Sequence, residues 1–268
     1  MAKRKGFTLI ELLVVIATIA LLLAILMPAL RGASKRAKAV VCQSNLSQWR
    51  LMFSMYAGDN NGKFFGYVWS EDTWLLWMDA LEPYYRDCND IILCPMAVKY
   101  KQQPPFPSWV GGKNSAWYWA GSMWHGLQGS YGLNNWAQDD NGYPYATIGN
   151  GWFWRTTLAK GGANVPVFLD CCCSAASPQA GDEPPAEDGV PNFSTDLSVG
   201  NHMSLFCIDR HNGFINGLFM DWSVRKVGLK QLWTLKWHRQ FDTANEWTRA
   251  GGVQPEDWPL WMRKYRDY

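Results

Sequence analysis

Few residues in this 268-residue chain have the types and spacing that chemistry needs. They are Glu11 inside an apolar run, seven cysteines, four histidines, and two Asp/Asn-rich turns. An imidazole beside a carboxylate moves protons, and His211 with Asp221 is the pair that invites that reading. Asn212-Gly213 predicts a two-residue hairpin turn, and Asp221-Trp222-Ser223 predicts the next. Ser204–Ile208, Phe214–Met220 and Ser223–Val227 then form a three-stranded antiparallel meander. His211 and Asp221 would sit at opposite ends of its middle strand, more than about 20 Å apart at about 3.3 Å per residue. They cannot share a hydrogen bond there, so each is expected to brace a turn. No G-x-S-x-G, P-loop, zinc-protease or dinucleotide motif is present, so the chain does not read as an enzyme.

The cysteines are Cys42, Cys88, Cys94, Cys171, Cys172, Cys173 and Cys207. Their odd number leaves at least one thiol unpaired in a monomer. If residues 171–173 lie in a strand, Cys171 and Cys173 face one way and Cys172 the other. A metal reading combines Cys171 and Cys173 with Cys207 or a histidine, but no C-x-x-C pair or metal-like His spacing supports it. Buried thiols or disulfides account for the set, and no metal site is expected. Asp59-Asn60-Asn61-Gly62 and Asp139-Asp140-Asn141-Gly142 offer oxygens of the kind Ca²⁺ prefers, without the closing Glu of an EF-hand loop. Turn chemistry explains both as well, so calcium stays an alternative and no cofactor is required. Tryptophan is abundant, 17 residues, with Trp69, Trp74, Trp77, Trp109, Trp117, Trp119, Trp124, Trp136, Trp152 and Trp154 concentrated in one region. Such rings build cores and subunit contacts, or stack on sugars.

The elements that position these groups begin at the amino terminus. A basic leader, residues 1–6, precedes a 24-residue run from Phe7 to Leu30 whose only charge is Glu11. At about 1.5 Å per residue the run forms a helix of roughly 36 Å, enough to cross an apolar layer of about 30 Å. Lys3, Arg4 and Lys5 would hold the leader in the cytoplasm and place the rest beyond the membrane. Without them the remainder is close to neutral, and no Lys/Arg stripe of the kind that binds nucleic acid is present. A carboxylate within a membrane helix persists only with a partner, and an amine created on Phe7 by a cut after Gly6 would lie one turn from Glu11. Pro28 removes the backbone bond to Ala24 and predicts a kink.

Beyond Leu30 the helix becomes amphipathic, with Ala39, Cys42, Leu46, Trp49, Phe53 and Tyr56 spaced three or four apart. Asp59 to Gly62 supplies the stop. Residues 31–58 are thus the packed half of one helix, and 59–268 a globular head. Ile91-Ile92-Leu93 and Val165–Leu169 join the three meander runs as strands. Residues 104–164 read as loops and short strands, and 175–192 as a solvated acidic loop. The fold class is α+β, a long N-terminal helix on a mainly antiparallel β head.

Gly6-Phe7-Thr8-Leu9-Ile10-Glu11-Leu12-Leu13-Val14-Val15-Ile16-Ala17 resembles the processing segment of type IV prepilins and pseudopilins. The resemblance implies cleavage between Gly6 and Phe7 by a prepilin peptidase, methylation of Phe7, and assembly of pilin subunits in which Glu11 sets the register. It further implies a single-pass inner-membrane precursor with its head outside the cytoplasm, and a filament of the pilus or type II secretion kind in the periplasm or on the cell surface. Pro28 falls where many type IV pilins carry a proline. His211 and Asp221 resemble the H-x9-D-G element of prepilin-like proteins, except that Trp222 replaces the glycine, so another turn geometry is expected. Cys42-Gln43-Ser44-Asn45-Leu46 and Leu93-Cys94-Pro95 also match that group, which implies a Cys42–Cys94 disulfide tying helix to head. A second reading is an adhesive minor pilin whose Trp-rich head binds polysaccharide.

Overall fold

The computed structural model describes residues 8–66, 68–70, 73–75, 77–86, 88–102, 104, 110–119, 126–139, 151–192 and 200–268; the side chains of 68–70, 73–75 and 89 are excluded. Helix α1 runs from Leu9 to Asp59. Its N-terminus is closed by a capping box, in which Thr8 Oγ1 accepts the Glu11 N–H at 3.2 Å and Glu11 Oε2 accepts the Thr8 N–H at 2.8 Å. The helix passes through Pro28 without a break. It ends where Asn61 (φ 56°) and Gly62 (φ 74°) turn left-handed and the Gly62 N–H returns to Ala57 O at 2.7 Å. Both conformations suit the Asn-Asn-Gly sequence there.

The two halves of α1 differ completely in environment. Every residue from Leu9 to Lys38 is exposed. From Ala39 onward one stripe is buried: Ala39, Cys42, Leu46, Trp49, Phe53 and Ala57, with Asn45 and Met52 beside it. The periodicity predicts that stripe except at its end, where Ala57 is buried and Tyr56 only half-buried, and it lies on the sheet of the head.

The head contains strands β1 (Val68–Ser70), β2 (Thr73–Leu75), β3 (Trp117–Tyr118), β4 (Gln128–Gly129), β5 (Tyr131–Asn134), β6 (Pro166–Asp170), β7 (Ala175–Ala176), β8 (Phe214–Phe219) and β9 (Val224–Gly228). The main sheet has the order β7-β5-β6-β8-β9, antiparallel except for the parallel β5–β7 pair. Its three central strands, β5, β6 and β8, are buried on both faces. On the helix side, Phe168 of β6 and Leu218 of β8 join Trp49, Phe53, Trp77 and Tyr85 in one apolar cluster. On the far side, Leu169, Ile215 and Phe219 meet Phe206, Trp233, Trp237 and Trp258. The alternation follows from the two-residue period of a strand. The far face is covered by α3 (Met203–Phe206), a 3-10 turn at Leu229–Thr234, and the irregular chain that follows.

Four expectations are corrected. Ile91 and Ile92 belong to a 3-10 turn, Asn89–Ile92, rather than a strand. Short apolar runs fit either state, and here Ile91 O is held by the Trp49 indole N–H at 2.9 Å. Residues 203–206 form helix α3, so the expected meander keeps only its β8–β9 hairpin. Trp77–Tyr85 forms α2, a helix the head's patterning did not announce. The acidic segment 175–192 is not a solvated loop. Asp182 is buried and accepts N–H bonds from Gln179 and Met203, while Trp233 and Trp261 donate to Asp182 O and Pro185 O.

Candidate functional site

Gly6 and Phe7 lie outside the described residues. The first functional residue in view is therefore Glu11, in the N-terminal turn of a helix whose apolar residues through Leu30 are all exposed among the described residues. The helix is long and apolar enough to cross a membrane. Among the described residues the Glu11 carboxylate is held by Thr8 alone, through the backbone N–H and through Thr8 Oγ1 at 2.7 Å.

The second concentration of chemistry is buried between α1 and the sheet. Cys42 belongs to the helix's packed stripe. Asp170 ends β6, two residues beyond Phe168, so the period of the strand turns both toward the helix. Cys94 follows the 3-10 turn, and its N–H is fixed by Ser130 Oγ at 2.6 Å. His211 precedes β8, with its N–H on Phe214 O. Four separate segments thus converge, and one donor atom from each of Cys42, Cys94, Asp170 and His211 lies within 4.8 Å of the other three.

Cys42 Sγ is 3.5 Å from both Asp170 oxygens. His211 Nε2 is 3.1 Å from Asp170 Oδ2 and 3.5 Å from Cys94 Sγ. Around them, Asn216 N–H donates to Asp170 Oδ2 at 2.9 Å, the Tyr131 hydroxyl to Cys42 Sγ at 3.2 Å, and Met96 N–H to Cys94 Sγ at 3.5 Å. Arg210, also fully buried, donates to Asp170 Oδ1 at 3.2 Å and to the carbonyls of Ser130, Lys113, Gly112 and Cys171.

Electrostatics within this cavity follow from burial set against paired charge. Burial alone would raise the Asp170 carboxyl, but the His211 hydrogen bond, the His211 and Arg210 charges and the Asn216 N–H hold it below its ordinary value. Burial works against a charged His211, and its bonds to Asp170 and Cys94 overcome this and raise it to about 9. Cys94 also resists ionisation through burial, yet its contacts with Cys42 and His211 and the Arg210 charge bring it down to about 6. Cys42 is pushed well above an ordinary thiol by burial, its bond to Cys94 and the Asp170 charge. The site can therefore hold a thiolate at Cys94, and its two sulfurs, imidazole and carboxylate form a donor set for a metal ion.

The sequence expected a Cys42–Cys94 disulfide. The structure brings the two residues together without a disulfide between them; Cys42 Sγ also contacts Asp170, and Cys94 Sγ contacts His211. The expectation that no metal-ligating set exists is corrected by the same convergence. Asp170 and Arg210 were missed, since an isolated Asp at the end of a buried strand and an Arg before a histidine carry no spacing signal. The one mark of Asp170 is a charge within an otherwise apolar run. His211 was expected to brace a turn, and its ring instead enters this cluster. Asp221 does brace one, with Oδ1 accepting from Ser223 N–H at 3.0 Å and Ser223 Oγ at 2.6 Å. The expected change of turn geometry at Trp222 does not occur. Trp222 takes φ 65° itself, closing a three-residue hairpin loop of the kind that normally carries glycine there.

Cys171, Cys172, Cys173 and Cys207 lie in the far apolar cluster as free buried thiols, each raised by burial. Of the calcium alternatives, residues 140–142 fall outside the described residues. Asp59 Oδ2 accepts the Tyr84 hydroxyl at 2.8 Å, and Asn60 to Gly62 close the helix. Every tryptophan with a described side chain is buried or half-buried.

Residues 1–27 match the prokaryotic N-terminal methylation motif. Over 61 residues the chain is 51% identical to the type IV wide pilus major component PilA4 of Thermus thermophilus, a stretch covering 23% of this chain and 47% of that protein. The chain thus spans about half the length of the curated relative it matches. No solved structure matches it.

Proposed function

We propose that this chain is a precursor subunit of a type IV pilus-like filament. A prepilin peptidase cuts it between Gly6 and Phe7, Phe7 is methylated, and the α1 helices of neighbouring subunits bundle to form the filament core. The observation that carries the reading is α1 itself. It is one unbroken helix whose apolar first half is exposed and has no partner among the described residues, while its second half is sealed into the head. A membrane can cover that half before assembly, and sister helices afterward. Lys3, Arg4 and Lys5 orient the precursor in the inner membrane with its head outside the cytoplasm.

The methylation motif supports the processing step. The pilus component among its relatives favours a surface filament over a type II secretion pseudopilus. The polysaccharide reading rests on Trp69, Trp74, Trp109 and Trp124, whose side chains lie outside the described residues, and the described rings are taken up in packing.

Mass spectrometry of the natural protein, together with electron microscopy of sheared surface filaments probed for this chain, tests the proposal. The expected mature chain begins at N-methylated Phe7 and is found in filaments. An intact Met1, or a soluble body cut beyond Leu30, refutes it.

A further inference from the structure

We infer that Cys42, Cys94, Asp170 and His211 form a tetrahedral site for a divalent metal ion of the zinc type, which clasps α1 to the head. The inference rests on geometry alone and is independent of the filament reading.

The ligand types come first. Thiolate, imidazole and carboxylate are the donors Zn²⁺ takes, at about 2.3 Å to sulfur and about 2.0–2.2 Å to nitrogen and oxygen. In a tetrahedron of those bond lengths, neighbouring ligand atoms stand roughly 3.3–3.8 Å apart. The observed separations are 3.5 Å for Cys42 Sγ to either Asp170 oxygen, 3.5 Å for Cys94 Sγ to His211 Nε2, and 3.1 Å for His211 Nε2 to Asp170 Oδ2. No pair in the set exceeds 4.8 Å. Two thiolates and an imidazole favour Zn²⁺ over the hard cations Mg²⁺ and Ca²⁺, which prefer all-oxygen shells.

Charge and surroundings agree. Two thiolates and a carboxylate bring three negative charges into a dry cavity, and the divalent ion with Arg210 cancels them, leaving His211 neutral. Binding releases two protons to solvent, that of the Cys42 thiol and the one held between Cys94 and His211, as the metal–ligand bonds form, and no electrons move. The outer groups suit thiolate and carboxylate ligands. Tyr131 O–H and Met96 N–H point at the sulfurs, while Asn216 N–H and Arg210 hold the carboxylate. His211 Nδ1 is buried without a hydrogen-bond partner among the described residues, so Nε2, facing the cluster, is the atom through which this ring acts.

A disulfide is the competing use of the two sulfurs, and one is permitted outside the cytoplasm. It would use two of the four groups and leave His211 and Asp170, paired with each other, outside the linkage. A metal ion employs all four. Because the ligands come from α1, the segment after the 3-10 turn, β6 and the lead-in to β8, one ion would fasten the helix to three parts of the head.

The test uses the full-length, tag-free chain, purified in detergent without chelator and analysed for metal by plasma mass spectrometry and X-ray absorption. One zinc ion per chain is expected, with two sulfur neighbours near about 2.3 Å and two nitrogen or oxygen neighbours near about 2.0 Å. Cys42→Ser and His211→Ala should lose the ion, whereas Cys207→Ser, a buried thiol outside the cluster, should keep it. Tyr131→Phe should bind about tenfold more weakly by chelator competition. A Cys42–Cys94 disulfide in the natural protein overturns the inference. So does wild-type protein that is metal-free and takes up no Zn²⁺ after reduction, a result that depends on no variant folding.

Discussion

Cys42 on α1 and Asp170 at the end of β6 meet across 128 residues of sequence, with the sulfur 3.5 Å from both carboxylate oxygens. A charged group lies here inside the contact between helix and sheet, where apolar packing is the usual cement. Asp170 tolerates the place because Arg210, His211 and the Asn216 N–H surround it. Its neighbours along the helix face, Leu46 and Phe168, are wholly apolar.

The Asp170–Arg210 pair gives the first prediction. Both side chains are fully buried, so removing one partner leaves the other charged and dry. Asp170→Ala should destabilise the detergent-solubilised, metal-free chain by about 3–5 kcal/mol in chemical denaturation. A loss below about 1 kcal/mol, typical of an exposed pair, would show that the pair does not hold the structure.

Trp49 is the apolar counterpart. Its ring meets Trp77, Tyr85 and Phe168 at centroid separations of 5.4, 5.1 and 5.2 Å respectively. The indole N–H also holds Ile91 O. Trp49→Ala should cost about 3–5 kcal/mol in the same assay. Trp49→Phe should cost less, because it keeps most of the packing and loses the hydrogen bond.

Some of this architecture was legible in the chain. The spacing of Ala39, Cys42, Leu46, Trp49 and Phe53 gave the buried stripe because helical period and burial report the same geometry. Asn60 to Gly62 announced the helix end through residues that accept left-handed backbone. β8 and β9 were visible as apolar runs flanking a turn. The Cys–Asp–His cluster was not, because its members belong to four segments brought together only by tertiary packing. Nothing in local spacing links Cys42 to Asp170. The run at 203–206 was misread because a four-residue buried segment shows no period that separates helix from strand.

The Trp222 turn supplies a test of backbone strain. At φ 65° the ring is half-buried against the helix-side cluster. Trp222→Gly and Trp222→Ala both delete that packing, but only Gly adopts positive φ freely. The Gly variant should therefore be the more stable of the two by about 1 kcal/mol, the reverse of their order in a helix. Equal stabilities in thermal unfolding would show that the turn relaxes to another geometry.

Asp182 predicts a pH dependence. Burial raises its carboxyl to about 7, against the N–H bonds from Gln179, Met203 and His202 that favour the charged form. The folded state then holds a proton that the unfolded chain, with an ordinary Asp near 3.8, has already released. Asp182's contribution to stability should be greatest below about 4 and decline as pH rises from there to about 7. Asp182→Asn should remove that slope whatever it does to overall stability. Denaturant midpoints measured across this window in both proteins check it, and identical slopes would refute the assignment.

Glu11 carries the prediction closest to the proposed function. Among the described residues its carboxylate is occupied only by Thr8, through a capping box that any helix start can use. Removal of residues 1–6 would expose an amine on Phe7, a stronger partner in an apolar setting, available from the same chain or from a neighbouring subunit. If that pairing sets the register between subunits, Glu11→Ala should leave membrane insertion and the cut after Gly6 intact while sharply reducing incorporation into filaments. Thr8→Ala removes the cap's hydroxyl but not the amine, so it should assemble far better than Glu11→Ala. Immunoblots of the membrane and sheared-filament fractions from the two strains separate these outcomes. Filaments of normal length built from Glu11→Ala subunits would show that the carboxylate serves only to begin the helix.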